Sequence, residues 1–475
     1  MLGKLLLLLA ALMAPSLLIS LYYAEGDALP FVYAMLLALA AGLPMALLSK
    51  PASVDMNARE GFASVGLAWL MLSMFGALPF WFSGAMPYYW DALFECVSGL
   101  TTTGASILPQ VENLPHGILF WRSFTHWVGG MGVLVLTMAV MPKVSGRNSF
   151  LARAESPGPS YSKLLPRMAD TSRILYIIYF VMTLVLIALL LLTGMPLFDT
   201  LIHAMGTAGT GGFSSRNLSV GAYNNPWAEM IIMVFMFLFG TNFLIYFRLL
   251  RGEGLKALKN DELKAYYLLA LGAIVLIALQ ILPEYGNVFT ALRYASFQVG
   301  SIMSTTGYAT ADFDLWPAFS RILLLMLMLI GASAGSTAGG IKVVRMVLLG
   351  KMTWREVLHT INPRSVKVVK LDGKSVPEDT LGQVGIFAFV YFSFLMLGTL
   401  LASLDGHDFL SCFSAAASCL SNIGPGLSLV GPVGNFSVFS PAVKLFLTLL
   451  MLLGRLEFFP ILVLFHPAIW RSGRR

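Results

Sequence analysis

The stretch Ser304-Thr305-Thr306-Gly307-Tyr308 decides the fold, because its pattern occurs four times along the chain. In each copy a Thr or Asn stands two residues before a Gly, and the glycines fall 108, 95 and 117 residues apart. A long apolar segment precedes each copy, a shorter apolar run leads into it, and another long segment follows. We therefore predict four units of helix, short helix, loop and helix. The other copies are Thr101-Thr102-Thr103-Gly104-Ala105, Gly209-Thr210-Gly211-Gly212-Phe213 and Ser421-Asn422-Ile423-Gly424-Pro425.

The composition indicates a polytopic membrane protein. Of 475 residues, 57% are hydrophobic and only 12% are charged, with a mean hydropathy of +0.78. Soluble domains carry charges at about a quarter of their positions. A net charge of +7 is compatible with a nucleic-acid surface, but the basic residues concentrate in links between apolar segments, which is typical of a cytoplasmic membrane face.

Thr/Gly loops at membrane depth need partners for their backbone polar groups. Their backbone N–H and C=O groups lack water, so they are stable only where protein encloses them and they line an aqueous cavity. Glycine permits conformations that turn carbonyl oxygens toward a shared axis, and threonine adds hydroxyl oxygens. A ring of carbonyls that replaces a hydration shell selects the ion in potassium channels. One Thr/Gly tripeptide could be an ordinary turn, but four in matching surroundings predict an ion pathway.

The fold class predicted is an all-α membrane protein with ten spans and four re-entrant segments around one central pore. A span needs about 20 residues, and the runs of about 12 residues before each loop are too short. We expect an amino-terminal helix pair over 1–50 and pore repeats over 51–142, 143–250, 251–350 and 351–475. A cleaved signal peptide is the alternative for the first helix. The spans are expected near 2–24, 29–49, 61–83, 115–142, 171–194, 226–250, 262–283, 317–349, 380–404 and 440–466.

Basic residues predict the orientation. The links 143–173, 248–264 and 342–374 hold 6, 5 and 8 of them, and the tail residues Arg471, Arg474 and Arg475 lie on the same side as Lys4, Lys50 and Arg59. This side is predicted to be cytoplasmic, with both termini inside. The opposite side carries acidic residues, which would concentrate cations unless they are simply solvated loop charges: Asp91, Glu95, Glu112, Asp199, Glu229, Glu284, Asp312, Asp314, Asp405 and Asp408.

Small residues interrupt three of the segments that follow a loop. Gly129-Gly130-Met131-Gly132 and Gly240-Thr241-Asn242 favour close helix packing. The run Gly331–Gly340 consists of ten small residues in the middle of a predicted span, which favours an unwound segment over a packing face. Such a segment just inside the third loop would obstruct the pore and could act as a gate.

Arg455 is a charge deep in an apolar run, Leu453-Gly454-Arg455-Leu456-Glu457-Phe458. Because an intramembrane arginine is costly, we predict that it faces the pore beneath the loops. The alternative is a structural salt bridge with Glu457, although residues two apart on a helix point to different faces.

Cysteines and histidines give no catalytic pattern. Cys96, Cys412 and Cys419 all lie in runs that lead into a loop, and an odd number of buried thiols favours packing over disulfides or a metal site. The histidines form no HExxH motif and share no helix face with a carboxylate, so we expect interfacial or loop positions for His116, His126, His203, His359, His407 and His466.

Together these motifs resemble the Trk/Ktr/HKT superfamily of potassium transporters, most closely the TrkH/TrkG type of pore subunit in bacterial Trk systems, over the whole chain. The residues Phe120-Trp121-Arg122-Ser123 through Gly132 resemble the signature of that family's first repeat. The residues Gly240-Thr241-Asn242-Phe243 resemble the signature of its second repeat. The third resembles Gly335-Ser336-Thr337-Ala338-Gly339-Gly340-Ile341-Lys342, and the fourth Gly454-Arg455-Leu456-Glu457.

The resemblance implies a potassium filter, a gate and partners. The partners are a second copy in a homodimer and a cytosolic nucleotide-binding subunit of the TrkA type, and no organic cofactor is expected on this chain. The fourth loop departs from the pattern because it lacks a threonine before its glycine. The gate would comprise Gly331, Gly335, Ser336, Thr337, Gly339, Gly340 and Arg455. The filter would comprise Thr102, Thr103, Gly104, Thr210, Gly211, Gly212, Thr305, Thr306, Gly307, Asn422, Ile423 and Gly424.

The predicted function is potassium uptake across the bacterial inner membrane through a selective, gated pore. A sodium-permeable or sodium-coupled relative is the nearest alternative. A polytopic membrane enzyme would need paired catalytic groups at membrane depth, and the sequence offers none in a recognisable spacing. Coupling to protons or sodium, as in a symporter, leaves no signature in the sequence.

Overall fold

The computed structural model describes residues 1–48, 58–132, 168–364 and 367–469. Most of the link 143–173 therefore lies outside the described residues, as do Lys50, the end of the segment predicted to reach residue 142, and the tail arginines Arg471, Arg474 and Arg475. Within the described ranges the chain is mostly helical, as the apolar segments predict.

Each of four successive units contains an outer helix, a short lead-in helix and an inner helix. The outer helices are Ala58–Gly76, which continues as Leu78–Phe82, then Met168–Leu192, Asp261–Tyr285 and Glu378–Ala402. The lead-in helices are Tyr89–Leu100, Leu197–Gly209, Val288–Met303 and Phe409–Ser421. The inner helices begin at His116, Pro226, Ala318 and Pro441 and, in their first straight part, end at Gly130, Phe239, Ile330 and Arg455.

The amino-terminal pair, Leu2–Tyr23 and Ala28–Leu48, packs closely against itself and against the first unit. A Cβ on Gly42 would lie 3.0 Å from the carbonyl oxygen of Gly3, so small residues let the two backbones approach. The pair leaves much apolar surface uncovered, including Leu47 and Leu48.

Six helices of the described part are long and apolar enough to cross a membrane, and up to eight spans result if each of two bent pairs is one span. The first pair is Pro226–Phe239 with Phe243–Leu250, bent by 88°. The second is Pro441–Arg455 with Phe459–Phe465, bent by 120°. The chain is therefore a multi-pass membrane protein.

The second bend corrects the prediction of a continuous span over 440–466. Glu457 and Phe458 both have positive φ, 54° and 68°, and the chain turns back there.

The first bend corrects the continuous span predicted over 226–250, because Asn242 caps a new helix by accepting a hydrogen bond from Leu244 N–H. The close packing predicted at Gly240 is present, since a Cβ there would lie 2.5 Å from the Tyr266 hydroxyl oxygen. The first turn has no nearby proline, whereas Pro460 opens the short helix that follows the second turn.

The third inner segment also differs from its prediction. After residues 331–342 the chain forms Val343–Ile361, which extends twelve residues beyond the predicted end at 349. A two-stranded antiparallel hairpin follows, Lys370–Leu371 with Lys374–Ser375, which the all-α class did not include. Both elements carry many charges, so hydropathy does not predict them.

Three main apolar clusters surround the loops. The largest joins the amino-terminal pair to the first and fourth units, the second belongs to the third unit, and the third to the second unit. Residues of neighbouring units enter each cluster: Ile423 of the fourth loop packs in the second cluster, and Tyr308 of the third loop in the third cluster. The loops are therefore held between units.

Candidate functional site: a ring of four glycine loops

The lead-in helices bring the four loops, here glycine loops 1 to 4, to one place with one backbone conformation. Two of these helices begin at a side-chain cap, with Asn287 accepting from Phe289 N–H and Asp408 from Ser411 N–H. Bonds from the Ser411 side chain and backbone hold the pKa of Asp408 below its usual range.

The end of each lead-in helix repeats the same hydrogen bond. The residue before each loop glycine donates its N–H to the carbonyl five residues earlier: Thr103 to Ser98 at 2.8 Å, Gly211 to Gly206 at 2.8 Å, Thr306 to Ser301 at 2.8 Å and Ile423 to Ser418 at 3.1 Å. Two residues before the glycine, Thr102, Thr210, Thr305 and Asn422 share positive φ values of 55° to 59°. This repetition confirms that the four loops are structurally equivalent.

The glycines then close a ring. A Cβ on Gly104 would overlap the carbonyl oxygen of Gly211, one on Gly212 that of Thr306, and one on Gly307 that of Ile423. A Cβ on Gly424 would lie 2.9 Å from the carbonyl oxygen of Thr103, which returns to the first loop. Each glycine therefore lies directly against the carbonyl before the next glycine, where any side chain would displace backbone.

A cavity of about 190 Å³ opens onto this ring from one side. All four loop glycines line it, together with residues that follow the loops, including Arg216 and Asn217. Gly104, Gly212 and Gly307 are half-buried whereas the threonines beside them are buried, so backbone, not side chains, faces the cavity.

Several loop hydroxyls form hydrogen bonds within the protein, and the contribution of threonine oxygens to an ion pathway stays a prediction. Thr101 and Thr103 hydroxyls lie 2.7 Å apart, as do those of Ser304 and Thr306. The Thr305 hydroxyl accepts a 2.8 Å bond from Gly339 N–H. These hydroxyl bonds brace the loops, and the backbone carbonyls lie beside the glycines of the ring.

The fourth loop replaces threonine with an amide that bridges two units. Asn422 Nδ2 donates to Thr103 Oγ1 and to the carbonyl of Met451, both at 2.9 Å. Asn422 has the same positive φ as the threonines, which asparagine tolerates well. Asparagine in place of threonine at position 422 therefore keeps the backbone conformation of the other loops and links loop 4 to loop 1 by a hydrogen bond.

A buried ion pair supports the ring, and sequence reasoning missed it. Arg122 Nη2 lies 2.6 Å from Glu95 Oε1, with both side chains at most 2% exposed. Glu95 also accepts from Ile107 N–H, and Arg122 donates to the carbonyl of Ser214 and stacks over Phe213. The pair thus connects loop 1 to loop 2. Glu95 had been predicted as a solvent-facing charge.

Four of the ten predicted outer-face carboxylates are ion-paired, Glu95 among them, and the cation-concentrating mouth stays a prediction. Asp91 pairs with Lys444, and Glu229 and Asp314 lie within 4.0 Å of an arginine. Asp199 accepts from the Ser215 hydroxyl, and Glu112 accepts from Asn217 N–H. These carboxylates organise loops and helix ends of the described structure.

Two histidines lie in the core, not at an interface or loop as predicted. His126 Nδ1 lies 2.9 Å from the carbonyl of Gly99, and Phe213 N–H points to His126 Nε2 at 3.3 Å, which fixes a neutral ring with the proton on Nδ1. His203 lies 2.9 Å from the Ser214 hydroxyl. Both hold loop 2 in place. Among the described residues no cluster of His, Cys, Asp and Glu could bind a metal.

Residues 331–342, here the small-residue segment, lie irregularly beneath the ring. Lys342 N–H donates to the carbonyl of Ile330 at 2.9 Å and closes the segment into a loop. Gly339 reaches glycine loop 3 through Thr305, and a Cβ on it would overlap the carbonyl oxygen of Ser421 beside loop 4. Gly335 accepts from Phe243 N–H at the bend of the second inner helix. The predicted unwinding is therefore confirmed, and Ser336 and Thr337 lie within it.

Arg455 lies between the ring and this segment. Its Nη2 donates to the carbonyls of Gly129 and Gly130, at 2.5 and 2.8 Å. Its Nη1 donates to the carbonyl of Thr337 at 2.7 Å and to the Thr102 hydroxyl at 3.2 Å. The proposed salt bridge with Glu457 is wrong, because Glu457 pairs with Arg345 at 2.7 Å.

A carboxylate from the third outer helix holds both ends of the small-residue segment. Glu262 Oε1 accepts from Ala334 N–H at 2.6 Å and from Val344 N–H at 3.3 Å, and the residue is 3% exposed. Val344 belongs to the first turn of the helix that follows the segment, so Glu262 also caps that helix. Sequence analysis did not identify it.

The comparisons with known proteins agree with this geometry. The family profile described as TrkH, cation transport protein, matches residues 31–472. This chain belongs to the TrkH family of cation transport proteins. It is 38% identical to the Trk system potassium uptake protein TrkH of Salmonella typhimurium, covering 99% of this chain and 98% of the relative. It is 33% identical to TrkG of Escherichia coli K12 over the same shares.

A solved structure has the same fold. The crystal structure of the potassium transporter TrkH from Vibrio parahaemolyticus superposes with a TM-score of 0.89 at 33% identity, covering 99% of this chain and 98% of that one. The family resemblance and the transport interpretation are thereby confirmed. The family consists of transport proteins, so the membrane-enzyme alternative is excluded.

Proposed function

We propose that this family member takes up potassium across the bacterial inner membrane through a pore whose filter is the ring of glycine loops. The observation that carries the proposal is the closed ring itself, in which four equivalent backbones bring the carbonyls of Thr103, Gly211, Thr306 and Ile423 beside the glycines of neighbouring loops. Rings of backbone carbonyls can replace the hydration shell of potassium. Relatives that are 38% and 37% identical are named potassium uptake proteins, which supports the ion.

The same proposal assigns the four units as pore repeats. Ten spans and four re-entrant segments follow if the inner helices and their continuations cross the membrane, with both termini cytoplasmic. The lead-in helices, of 12 to 16 residues, are too short to span and end at the ring, which supports the re-entrant assignment.

Arg455 and the small-residue segment are proposed as the gate. Both lie directly beneath the ring, and the guanidinium bonds to carbonyls of two different units. A fixed positive charge there opposes a passing cation, and the segment closes the path until it moves.

We further propose a homodimer that works with a cytosolic nucleotide-binding subunit of the TrkA type. The names of the relatives describe a Trk system, which implies further components. The hairpin at Lys370–Ser375 and the exposed face of Val343–Ile361 lie on the predicted cytoplasmic side and offer a charged surface for such a subunit.

Radiolabelled rubidium flux into liposomes that contain the purified protein tests the proposal. Sodium and pH gradients are varied separately, and empty liposomes are the control. We expect uptake that excess potassium inhibits and excess sodium inhibits far less. Equal inhibition by both ions would favour the sodium-permeable alternative, and a requirement for one gradient would identify a symporter.

A further inference from the structure

An apolar crevice lies away from the ring, between the second and third units. It has a volume of about 400 Å³ and is formed by the helices Pro226–Phe239, Asp261–Tyr285 and Val288–Met303. Met230, Met233, Ile274 and Phe297 form its apolar wall, and Glu229 and Arg293 line one end.

The surface around the crevice is the apolar exterior of the spans. Leu271 and Val275 on Asp261–Tyr285 are 59% and 52% exposed, and Val234 on Pro226–Phe239 is 46% exposed. A multi-pass membrane protein presents such surface to lipid chains. The crevice therefore opens toward the membrane.

The charged end of the crevice lies where both flanking helices begin. Glu229 is in the first turn of Pro226–Phe239, beside Trp227, which is 70% exposed. Phe289, 82% exposed, stands one turn before Arg293 on the third lead-in helix. Exposed aromatic residues of this kind mark the headgroup level of a membrane. Met233 and Phe297 each follow one turn deeper. The crevice is thus polar at headgroup depth and apolar below.

The two charged groups have unused hydrogen-bonding capacity. Glu229 Oε2 and Arg293 Nε are 3.4 Å apart, an ion pair, but within the described ranges neither atom makes a hydrogen bond. The Glu229 side chain is only 5% exposed, and both residues line the crevice. A buried carboxylate oxygen without a donor is uncommon in native structures and requires an explanation.

We propose that this crevice binds one zwitterionic phospholipid with an ammonium headgroup, of the phosphatidylethanolamine type. The phosphate accepts from the Arg293 guanidinium, the ammonium donates to the Glu229 carboxylate, and an acyl chain covers Met233 and Ile274. The ligand matches the charge order and the depth of the site, and a phosphatidylglycerol headgroup lacks an ammonium to donate to the Glu229 carboxylate, whose Oε2 has no hydrogen-bond donor among the described residues. Such a lipid would brace the third lead-in helix against the second inner helix.

Native mass spectrometry of the full chain, purified in mild detergent with equal amounts of phosphatidylethanolamine and phosphatidylglycerol, tests this proposal. We expect one retained phosphatidylethanolamine per chain. Glu229→Gln and Arg293→Gln should each lower its retention about tenfold, because a charge-assisted bond is lost in each case. Arg321→Gln is the matched control, since Arg321 belongs to an ion pair with Asp314 outside the crevice, and it should retain the lipid.

A variant that blocks the crevice sterically tests the same site if a charge variant folds poorly. Met233→Trp fills the crevice without changing charge, and Met326→Trp places the same residue on an exposed face, where Met326 is 57% exposed. Only Met233→Trp should lose the lipid. Unchanged retention in Met233→Trp overturns the site. Equal retention of phosphatidylglycerol overturns the role of Glu229. If Met233→Trp converts a dimer into a monomer and its lipid retention is unchanged, the crevice is the contact surface for a second copy of this chain and the lipid site is overturned.

Discussion

The four glycine loops are alike, whereas the four inner helices end in different ways. Every loop repeats one hydrogen bond and one pair of positive φ values. The first inner helix ends at Gly130, the second bends by 88° after Phe239, the third opens into twelve irregular residues, and the fourth reverses by 120° after Arg455. The four units therefore share the conformation of their loops but differ in how their inner helices end.

This difference agrees with two separate requirements, one for coordinating an ion and one for gating its path. A carbonyl ring around one ion needs equal contributions from each unit, so the loops cannot diverge without losing coordination. A gate needs one element with two arrangements, and the irregular segment held by Arg455 and Glu262 is the element that we propose for it. We infer that selectivity resides in the repeated part and gating in the divergent part.

The largest effect should come from comparing glycines within the ring. Gly104→Ala places a Cβ onto the carbonyl oxygen of Gly211. Gly424→Ala places one 2.9 Å from a backbone oxygen, so it displaces backbone less, although the φ of 104° still strains an alanine. Rescue of a potassium-uptake-deficient strain at limiting potassium should be abolished by Gly104→Ala and reduced by Gly424→Ala. Equal rescue by both variants, at equal membrane levels, would remove the distinction between the fourth junction and the others.

Arg455 should have the next largest effect. Two unit charges about 6 Å apart at an effective dielectric near 20 repel by about 3 kcal/mol, so Arg455→Ala should raise rubidium flux by up to about a hundredfold. Arg455→Lys keeps the charge but cannot reproduce the guanidinium bonds to Gly129, Gly130 and Thr337.

The lysine variant distinguishes a charge barrier from a clamp. Flux near that of the unchanged protein in Arg455→Lys indicates a barrier, and flux as high as in Arg455→Ala indicates a clamp. Lower flux in Arg455→Ala at normal protein levels contradicts both roles.

Shortening the small-residue segment should raise flux about tenfold or less. Deletion within 332–338 removes the contact of Gly335 with Phe243 and that of Thr337 with Arg455. Flux in liposomes should rise and depend less on the cytosolic partner. A deletion of equal length outside the segment, in the exposed turn at 252–256, which has no part in the proposed partner surface, is the control. If the folded deletion variant conducts no better than the intact chain, the gate lies elsewhere.

Substitutions of Glu262 should change rubidium flux least. Its Oε1 accepts two backbone N–H groups, and a glutamine oxygen can accept the same bonds. Glu262→Gln should therefore conduct nearly as the unchanged protein does, whereas Glu262→Ala should raise resting rubidium flux a few-fold. Identical flux in the two variants would show that Glu262 does not hold the segment.

The loops were predictable because their conformation demands particular residues. Positive φ at the loop glycines favours Gly, so a local pattern marked all four loops. The positive φ of the threonines two positions earlier was not predictable, because β-branched residues rarely adopt it. The small-residue segment was predictable for a similar reason, since four of its ten residues at 331–340 are glycines, which make a continuous helix costly. The roles assigned to these residues stay proposals.

Features that depend on distant partners were not predictable. Arg122 and Glu95 are separated in the sequence and become a buried pair only when loops 1 and 2 meet. The reversal at Glu457 and Phe458 uses positive φ at residues that rarely adopt it, stabilised by Arg345 from another unit. Burial of His126 follows from the position of loop 2, which no local periodicity encodes.

The central claim is that the glycine ring sets selectivity, and rubidium uptake in competition with sodium tests it most directly. Gly307→Ser is compared with Gly382→Ser, because a Cβ at Gly382 meets nothing within 4 Å whereas one at Gly307 overlaps the carbonyl oxygen of Ile423. We expect sodium to inhibit rubidium uptake strongly in Gly307→Ser and weakly in Gly382→Ser and in the unchanged protein. Unchanged uptake with unchanged sodium inhibition in Gly307→Ser would contradict the account.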